Sequence, residues 1–358
     1  MKSNVKVLVV ILSTLMSLAG CSSLGPKTVV DDSFDYTGVL GDSWKKRMLF
    51  NTVRVRYGDT PVFLDVASVI NQYSLETGIS VSGQWAKSYA GDNFLGMGGH
   101  GTYIDRPTIT YIPLSGEKFA RSLMRPLPPS AVMSMIEAGY PINFILRACV
   151  ESVNGIKNRS GGALRARPAD TEYYPLLERL QRIQNSGTIG LRVQKGKDGD
   201  AVVMTMRGKD AASVQEDTLA VRKTLGLDPA ADEFSVVYGS MNKDDKELAV
   251  LTRSLLQIIA NVASQIEVPD AHVAAKIVNP TMPDLESDGT QAPRIRILSS
   301  AAKPENAFVA VPYQSHWFYI ENSDISSKWL FSFLMFLFSL TETGGKEGAP
   351  IVTISAGG

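Results

Sequence analysis

The twelve residues Trp329-Leu330-Phe331-Ser332-Phe333-Leu334-Met335-Phe336-Leu337-Phe338-Ser339-Leu340 constrain this chain more than any other stretch. Ten of them are apolar, so a helix here is hydrophobic on nearly every face. Such a helix spans only ~18 Å, well short of a ~30 Å hydrocarbon core. It has to be covered, and the first expectation is a central helix buried among sheet and other helices. The competing expectation is a face docked on a bilayer or on another protein. An interfacial helix should carry a cationic polar face, and only Lys328 is near. Ser332 and Ser339, seven residues apart, fall on one face and mark either a close helix contact or the less buried side.

The rest of the chain supplies the cover. Asp59-Thr60-Pro61 reads as a helix start, with Val62, Phe63, Val66, Val69, Ile70 and Tyr73 at helical spacing and Gly78 as the stop. Thr108–Ile112 reads as a strand. Short helices are expected over 116–124, up to about Ala138, and from Tyr140-Pro141 through Cys149 to near Gly155. Beyond the loop Asn158-Arg159-Ser160-Gly161-Gly162, Thr171–Ile183 is a helix. A hairpin follows with Ile189–Gln194 and Ala201–Met206 as its strands and Asp198-Gly199 as its turn. Ala211–Leu225 is a helix and Phe234–Tyr238 a strand. Asp244–Ile266 gives the best amphipathic helix, with Leu248, Leu251, Leu255, Ile258, Val262 and Ile266 on one face. Asn279–Pro293 has three prolines and three acids and is expected as a loop. Arg294–Leu298, Ala307–Val311 and His316–Ile320 complete the strands. This order indicates an α+β fold, a largely antiparallel sheet with packed helices.

The start of the chain is an address. Lys2 and Lys6 precede the apolar run from Val7, and small residues close it: the anatomy of a secretory signal, too short to span a bilayer. Its exit, Leu18-Ala19-Gly20-Cys21, resembles the lipobox of bacterial lipoproteins at all four positions. The resemblance covers residues 1–22 only. It implies that signal peptidase recognises Leu18, Ala19 and Gly20, that the Cys21 thiol is alkylated by a diacylglyceryl group, and that cleavage makes Cys21 the first mature residue. Several acyl chains at roughly 0.8 kcal/mol per buried CH₂ make release negligible. In Gram-negative lipoproteins an Asp after the cysteine favours the inner membrane. Ser22 stands there, so the implied location is the outer membrane, with the body facing the periplasm.

Cleavage removes twenty residues, Lys2 and Lys6 among them, and leaves 338 residues with 34 basic against 36 acidic side chains. That balance argues against a nucleic-acid partner. With Cys21 blocked, Cys149 is the one remaining cysteine, so no internal disulfide is expected. Within Phe144–Val150 it reads as a small buried hydrophobe rather than a reactive thiol. The expected organisation is a signal peptide over 1–20, a lipidated N-terminus and tether over 21–45, a mainly helical part over 46–157 and an α+β part over 158–358. The last two parts are able to form one domain.

Chemistry-bearing motifs are few. Gly96-Met97-Gly98-Gly99-His100-Gly101 formally matches the G-x-G-x-x-G dinucleotide pattern. It lacks the buried strand before it and the helix after it that would aim amides at a pyrophosphate, so a flexible glycine loop is expected. His100, His272 and His316 lie far apart in sequence, with neither H-E-x-x-H nor C-x-x-C, and no metal is expected. His316 should share a strand face with Phe318 and Ile320, a core or boundary position. His100, in its glycine loop, is the one weak loop candidate for function. There is no G-x-S-x-G; Ser160 reads as a turn residue, Asp31-Asp32 as tether charge and Asp244-Asp245 as helix-start charge.

No catalytic residue and no cofactor are therefore expected. The leading reading is an outer-membrane-anchored, non-enzymatic binding or accessory component of the cell envelope. It is held to the membrane through Cys21 and has another envelope protein as a potential partner. The alternative is an envelope hydrolase acting on cell wall or lipid, which a deep pocket holding His100 or paired carboxylates would favour. A third class, small-ligand carriage, requires a large apolar cavity.

Overall fold

The computed structural model describes residues 26–70, 73–84, 94–105, 108–114, 117–161, 167–196, 199–206, 214–281, 295–339 and 352–355. The signal peptide and the lipobox, Leu18, Ala19, Gly20 and Cys21 included, lie outside them. The chain divides into two compact units, one of Met1–Thr60 with Pro126–Ser339, the other of Pro61–Arg125 with Leu340–Gly358. The boundary expected at residue 158 falls inside the first unit.

Along the chain, helix α1 (Pro26–Arg56) comes first. The residues expected as tether are thus helical from Pro26, rising about 1.5 Å per residue rather than extending. Strands β1 (Phe63–Ile70), β2 (Tyr73–Gln84), β3 (Phe94–Asp105) and β4 (Thr108–Leu114) and helix α2 (Glu117–Met124) belong to the second unit. The helix expected from Asp59 to Gly78 is therefore two strands. Its apolar spacing suits a helix, yet Val66, Val69 and Ile70 are β-branched, and antiparallel pairing of β1 with β4 overrides the local pattern. The glycine run is likewise a strand rather than a loop: β3 pairs antiparallel with β2 along its whole length, Gly98 opposite Ser80 and His100 opposite Gly78.

The first unit resumes with α3 (Pro129–Glu137) and α4 (Ile142–Cys149), which passes directly into β5 (Val150–Val153) instead of running on to Gly155. Then come β6 (Ile156–Lys157), α5 (Tyr173–Asn185), the hairpin β7 (Ile189–Gly196) and β8 (Gly199–Met206), α6 (Gln215–Leu225) and β9 (Glu233–Tyr238). Next are β10 (Glu247–Thr252), α7 (Leu255–Ala263) and α8 (Asp270–Ala274). The long helix expected over 244–266 is in fact β10 followed by α7. Ser254 is the true helix start: its hydroxyl accepts from Gln257 N while the Gln257 side chain accepts from Ser254 N, a capping box. Asp244, expected as helix-start charge, instead accepts from the Lys246 amide in a turn ahead of β10.

The chain closes with β11 (Leu298–Ser300), β12 (Ala307–Tyr313), β13 (His316–Glu321), α9 (Ile325–Ser339) and, in the second unit, β14 (Val352–Ser355) beside β4. β11 starts later than the expected Arg294–Leu298, with Ile295 and Ile297 buried just ahead of it. Most of the loop expected over 279–293 and the end of the apolar run at Leu340 lie outside the described residues.

Two sheets organise the first unit. One has the order β6-β5-β10-β9-β8-β7, antiparallel except for the β9–β10 pair; the other, β11-β13-β12, is antiparallel throughout. The fold class is α+β, as expected. Val132, Met133 and Ile136 of α3, Ile142, Ile145, Leu146 and Cys149 of α4, and Leu177, Leu180 and Ile183 of α5 are buried with Met204, Met206 and Val250 of the larger sheet. Helix α1 packs on β12 and α7 through its C-terminal half, where Met48, Leu49 and Val53 are buried.

Candidate binding pocket

Helix α9 shows why a run apolar on all sides is stable in this fold. One stripe, Phe331, Leu334, Met335 and Phe338, is buried in the first unit, with Phe331 edge-on to Phe308 of β12. A second stripe faces a cavity, and a third faces outward. Ser332 and Ser339 are both exposed and mark the less buried side, as one of the two expectations had it. The same outward stripe carries Ile325, Trp329 and Phe336, 67%, 66% and 42% exposed, at the i, i+4, i+11 spacing of one helix face.

The cavity, of about 440 Å³, lies among α4, α7 and α9, within the usual range for small-molecule sites. Helical period explains its walls. Leu330, Phe333 and Leu337 project from α9, Phe144 and Ala148 from α4, and Ile258 and Val262 from α7. Phe333 sets its ring edge-on to Phe144, 4.9 Å between centroids, and tilts against Tyr140 at 5.6 Å. Trp329 belongs both to the wall and to the exposed stripe, so the pocket opens beside an apolar surface.

One part of the wall is polar. The segment after β6 crosses the end of α4, and Asn158 ties the two together. Its amide nitrogen donates to the carbonyls of Arg147 (2.9 Å) and Val150 (2.7 Å), and its amide oxygen accepts from Arg159 N (2.7 Å). Arg253, only 1% exposed, lies behind it: Nε donates to Glu151 Oε2 (3.0 Å), Nη1 to the carbonyls of Arg147 and Ala148, and Nη2 to the carbonyl of Arg159. These bonds satisfy the carbonyls that a helix leaves open at its C-terminus. The guanidinium of Arg147 stacks over the Tyr174 ring at 4.3 Å, and Arg159 is 4% exposed.

Asn261 of α7 also belongs to the lining, and its Oδ1 is buried with no hydrogen-bond partner among the described residues. Gly161 brings the crossing segment against this helix. A Cβ there would lie 2.7 Å from Asn261 Oδ1 and closer still to Ser264 Oγ. The described lining contains Arg147 and Arg159 and no carboxylate.

The residues singled out from sequence lie elsewhere. His100 is exposed on β3 of the second unit and is not in the pocket. Cys149 is fully buried, and burial pushes its thiol up to about 12. His272 and His316, far apart in sequence, are adjacent, with ring centroids 4.6 Å apart, and Tyr57 Oη lies 2.7 Å from His272 Nδ1. His316 is half-buried on the strand that buries Phe318 and Ile320, a boundary position as expected. Ser160 pairs with Arg167 in an isolated bridge, each amide donating to the other's carbonyl at 2.9 Å. Among the described residues no group of three or more His, Cys, Asp or Glu is placed to hold a metal, and no helix is long and apolar enough to cross a membrane.

Sequence reasoning passed over Arg147, Arg159 and Asn261, which form the pocket's polar wall. The signals were small: an arginine inside the apolar stretch Phe144–Val150, and an Asn-Arg pair opening a loop noted only as a domain boundary. Compared with protein-family models, with curated proteins and with solved structures, the chain matches none.

Proposed function

We propose that this chain is a lipoprotein anchored in the outer membrane through Cys21, whose periplasmic body is a non-enzymatic binding component of the cell envelope. Its binding site is the pocket among α4, α7 and α9. One observation carries the reading: a cavity of about 440 Å³ with mainly apolar walls and a few convergent polar groups, the arrangement that holds a ligand by burial and orients it by hydrogen bonds. Among the described residues the lining offers neither His100 nor a pair of carboxylates, the features that the hydrolase alternative calls for. The lipobox resemblance supports the anchor, which confines such a body to partners within reach of the membrane.

The test is cross-linking in cells of the tagged chain, purified from membranes, beside a Cys21→Ser control. The reading predicts a specific envelope component captured by the native chain and lost in the control. Equal capture by both, or no capture from an abundant and folded protein, overturns it.

A further inference from the structure

We infer that copies of this chain assemble side by side into a β-barrel across a bilayer, each contributing the ribbon formed by β2 and β3. The inference is carried by that ribbon and rests on neither the pocket nor the anchor.

The register of the ribbon sorts its residues by chemistry. β2 and β3 pair from Tyr73 opposite Asp105 to Gln84 opposite Phe94, and β1 meets β4 in the same register at Ile70 opposite Thr108. Odd-numbered residues of both strands therefore share one face and even-numbered residues the other. From Leu75 opposite Tyr103 to Gly83 opposite Leu95, nine pairs, the odd face holds Leu75, Ile79, Val81, Leu95, Met97 and Tyr103. Its other members are Thr77 and glycines, and none is charged. The even face of the same stretch holds Glu76, Ser80, Ser82, His100 and Thr102 besides glycines.

This pattern matches a membrane-spanning barrel strand. About 9–11 residues cross a bilayer when the strand is tilted. Such strands alternate apolar residues toward lipid with polar ones toward a lumen. Tyr103 ends the apolar stretch and Asp105 follows on the same face, the order found at an aromatic girdle beside the headgroups. A sheet built for water would lay its odd face on a core. β2 and β3 instead form a sheet of their own and share no extended contact with any other described element. A lone two-stranded ribbon is marginal in water.

The edges of the ribbon call for further copies. Lipid satisfies no backbone N–H or C=O, so a spanning sheet has to close on itself. A neighbouring copy at each edge closes it, and two strands per copy give the even strand number of such barrels. The smallest barrels, of about 8 strands, take about four copies.

The test uses the full-length chain, purified in detergent from the cells that express it and reconstituted into phosphatidylethanolamine–phosphatidylglycerol vesicles. The fluorophore NBD is attached at Ile79→Cys, Ser80→Cys, Val81→Cys or Ser82→Cys, with the parent chain giving the background. Nitroxide-labelled lipid should quench positions 79 and 81 several times more than 80 and 82, and aqueous iodide should do the reverse. Planar bilayers should show stepwise conductance. Ile79→Arg sets a charge at the bilayer midplane, which lowers insertion of each copy by a factor of roughly 30 or more. It should abolish conductance while the thermal melt stays cooperative. Ser80→Arg, on the polar face, should keep the conductance and shift its selectivity toward anions.

Iodide quenching of all four positions alike overturns the inference. So does shielding of 79 and 81 from both quenchers, which would mean that protein covers the odd face. Lipid quenching without conductance removes the barrel, and native conductance in Ile79→Arg places the pore elsewhere; either result overturns the inference.

Discussion

Arg253 donates from Nε to Glu151 Oε2 at 3.0 Å while its side chain stays 1% exposed, one residue before the capping box that starts α7. The pair joins β5 to the end of β10, and the remaining guanidinium hydrogens close the end of α4 and hold the segment carrying Arg159. Fold and pocket thus meet at one buried charge.

Arg253→Leu removes that charge and leaves Glu151 and three backbone carbonyls short of donors. A loss of about 3–5 kcal/mol is expected in urea denaturation. Glu151→Gln keeps an acceptor for Nε and should cost less. Equal and small effects from both would mean the pair does not organise this region.

Cys149 is predicted to be inert in the native protein. It is fully buried in α4, and the rise of its thiol to about 12 leaves almost no thiolate at neutral pH. A bulky maleimide should label the full-length Cys21→Ser chain only after denaturation, with one equivalent taken up. Rapid native labelling would place the end of α4 at the surface and contradict the packing described.

The His272 imidazole gives stability a definite pH dependence. Burial, and then the neighbouring charge of His316, hold its pKa below the ordinary 6.5. The unfolded chain therefore takes up this proton at higher pH than the folded one, so the unfolded state binds more protons as pH falls. The contribution is complete above about pH 7 and is lost as pH falls through 6.5 toward the folded value. In the tautomer with its proton on Nε2, Nδ1 accepts from the Tyr57 hydroxyl 2.7 Å away, and protonation removes that acceptor. Denaturation midpoints should fall from pH 8 to pH 5, and His272→Gln should flatten that slope. An unchanged slope in the variant would assign the effect to other groups.

How much of this was legible beforehand follows from which forces act locally. The helix Ile325–Ser339, the hairpin of β7 and β8 and the α+β class announce themselves through apolar period and turn residues close in sequence. β1 and β10 did not, because their apolar residues also fit helical spacing and only distant partners, β4 for one and β5 and β9 for the other, decide between the two. The Ser254-x-x-Gln257 box was readable and marks the point where the expected long helix should have been cut. The pocket was not readable: Arg147, Arg159 and Asn261 come from three separate segments, and only tertiary packing sets them on one wall. The pairing of His272 with His316 has the same origin, since a 44-residue separation hides it from any spacing rule.

The central claim, that the α9 face and the pocket beneath it are where this body binds its envelope component, is tested most directly by site-specific photo-cross-linking in cells. Benzoylphenylalanine is placed at position 329, on the pocket rim, or at position 238, on exposed Tyr238 of β9. The account predicts a specific lipid or protein adduct from position 329, absent from position 238 and abolished by Leu330→Trp. Adducts of equal yield from both positions, or an adduct at 329 that survives Leu330→Trp, would contradict it.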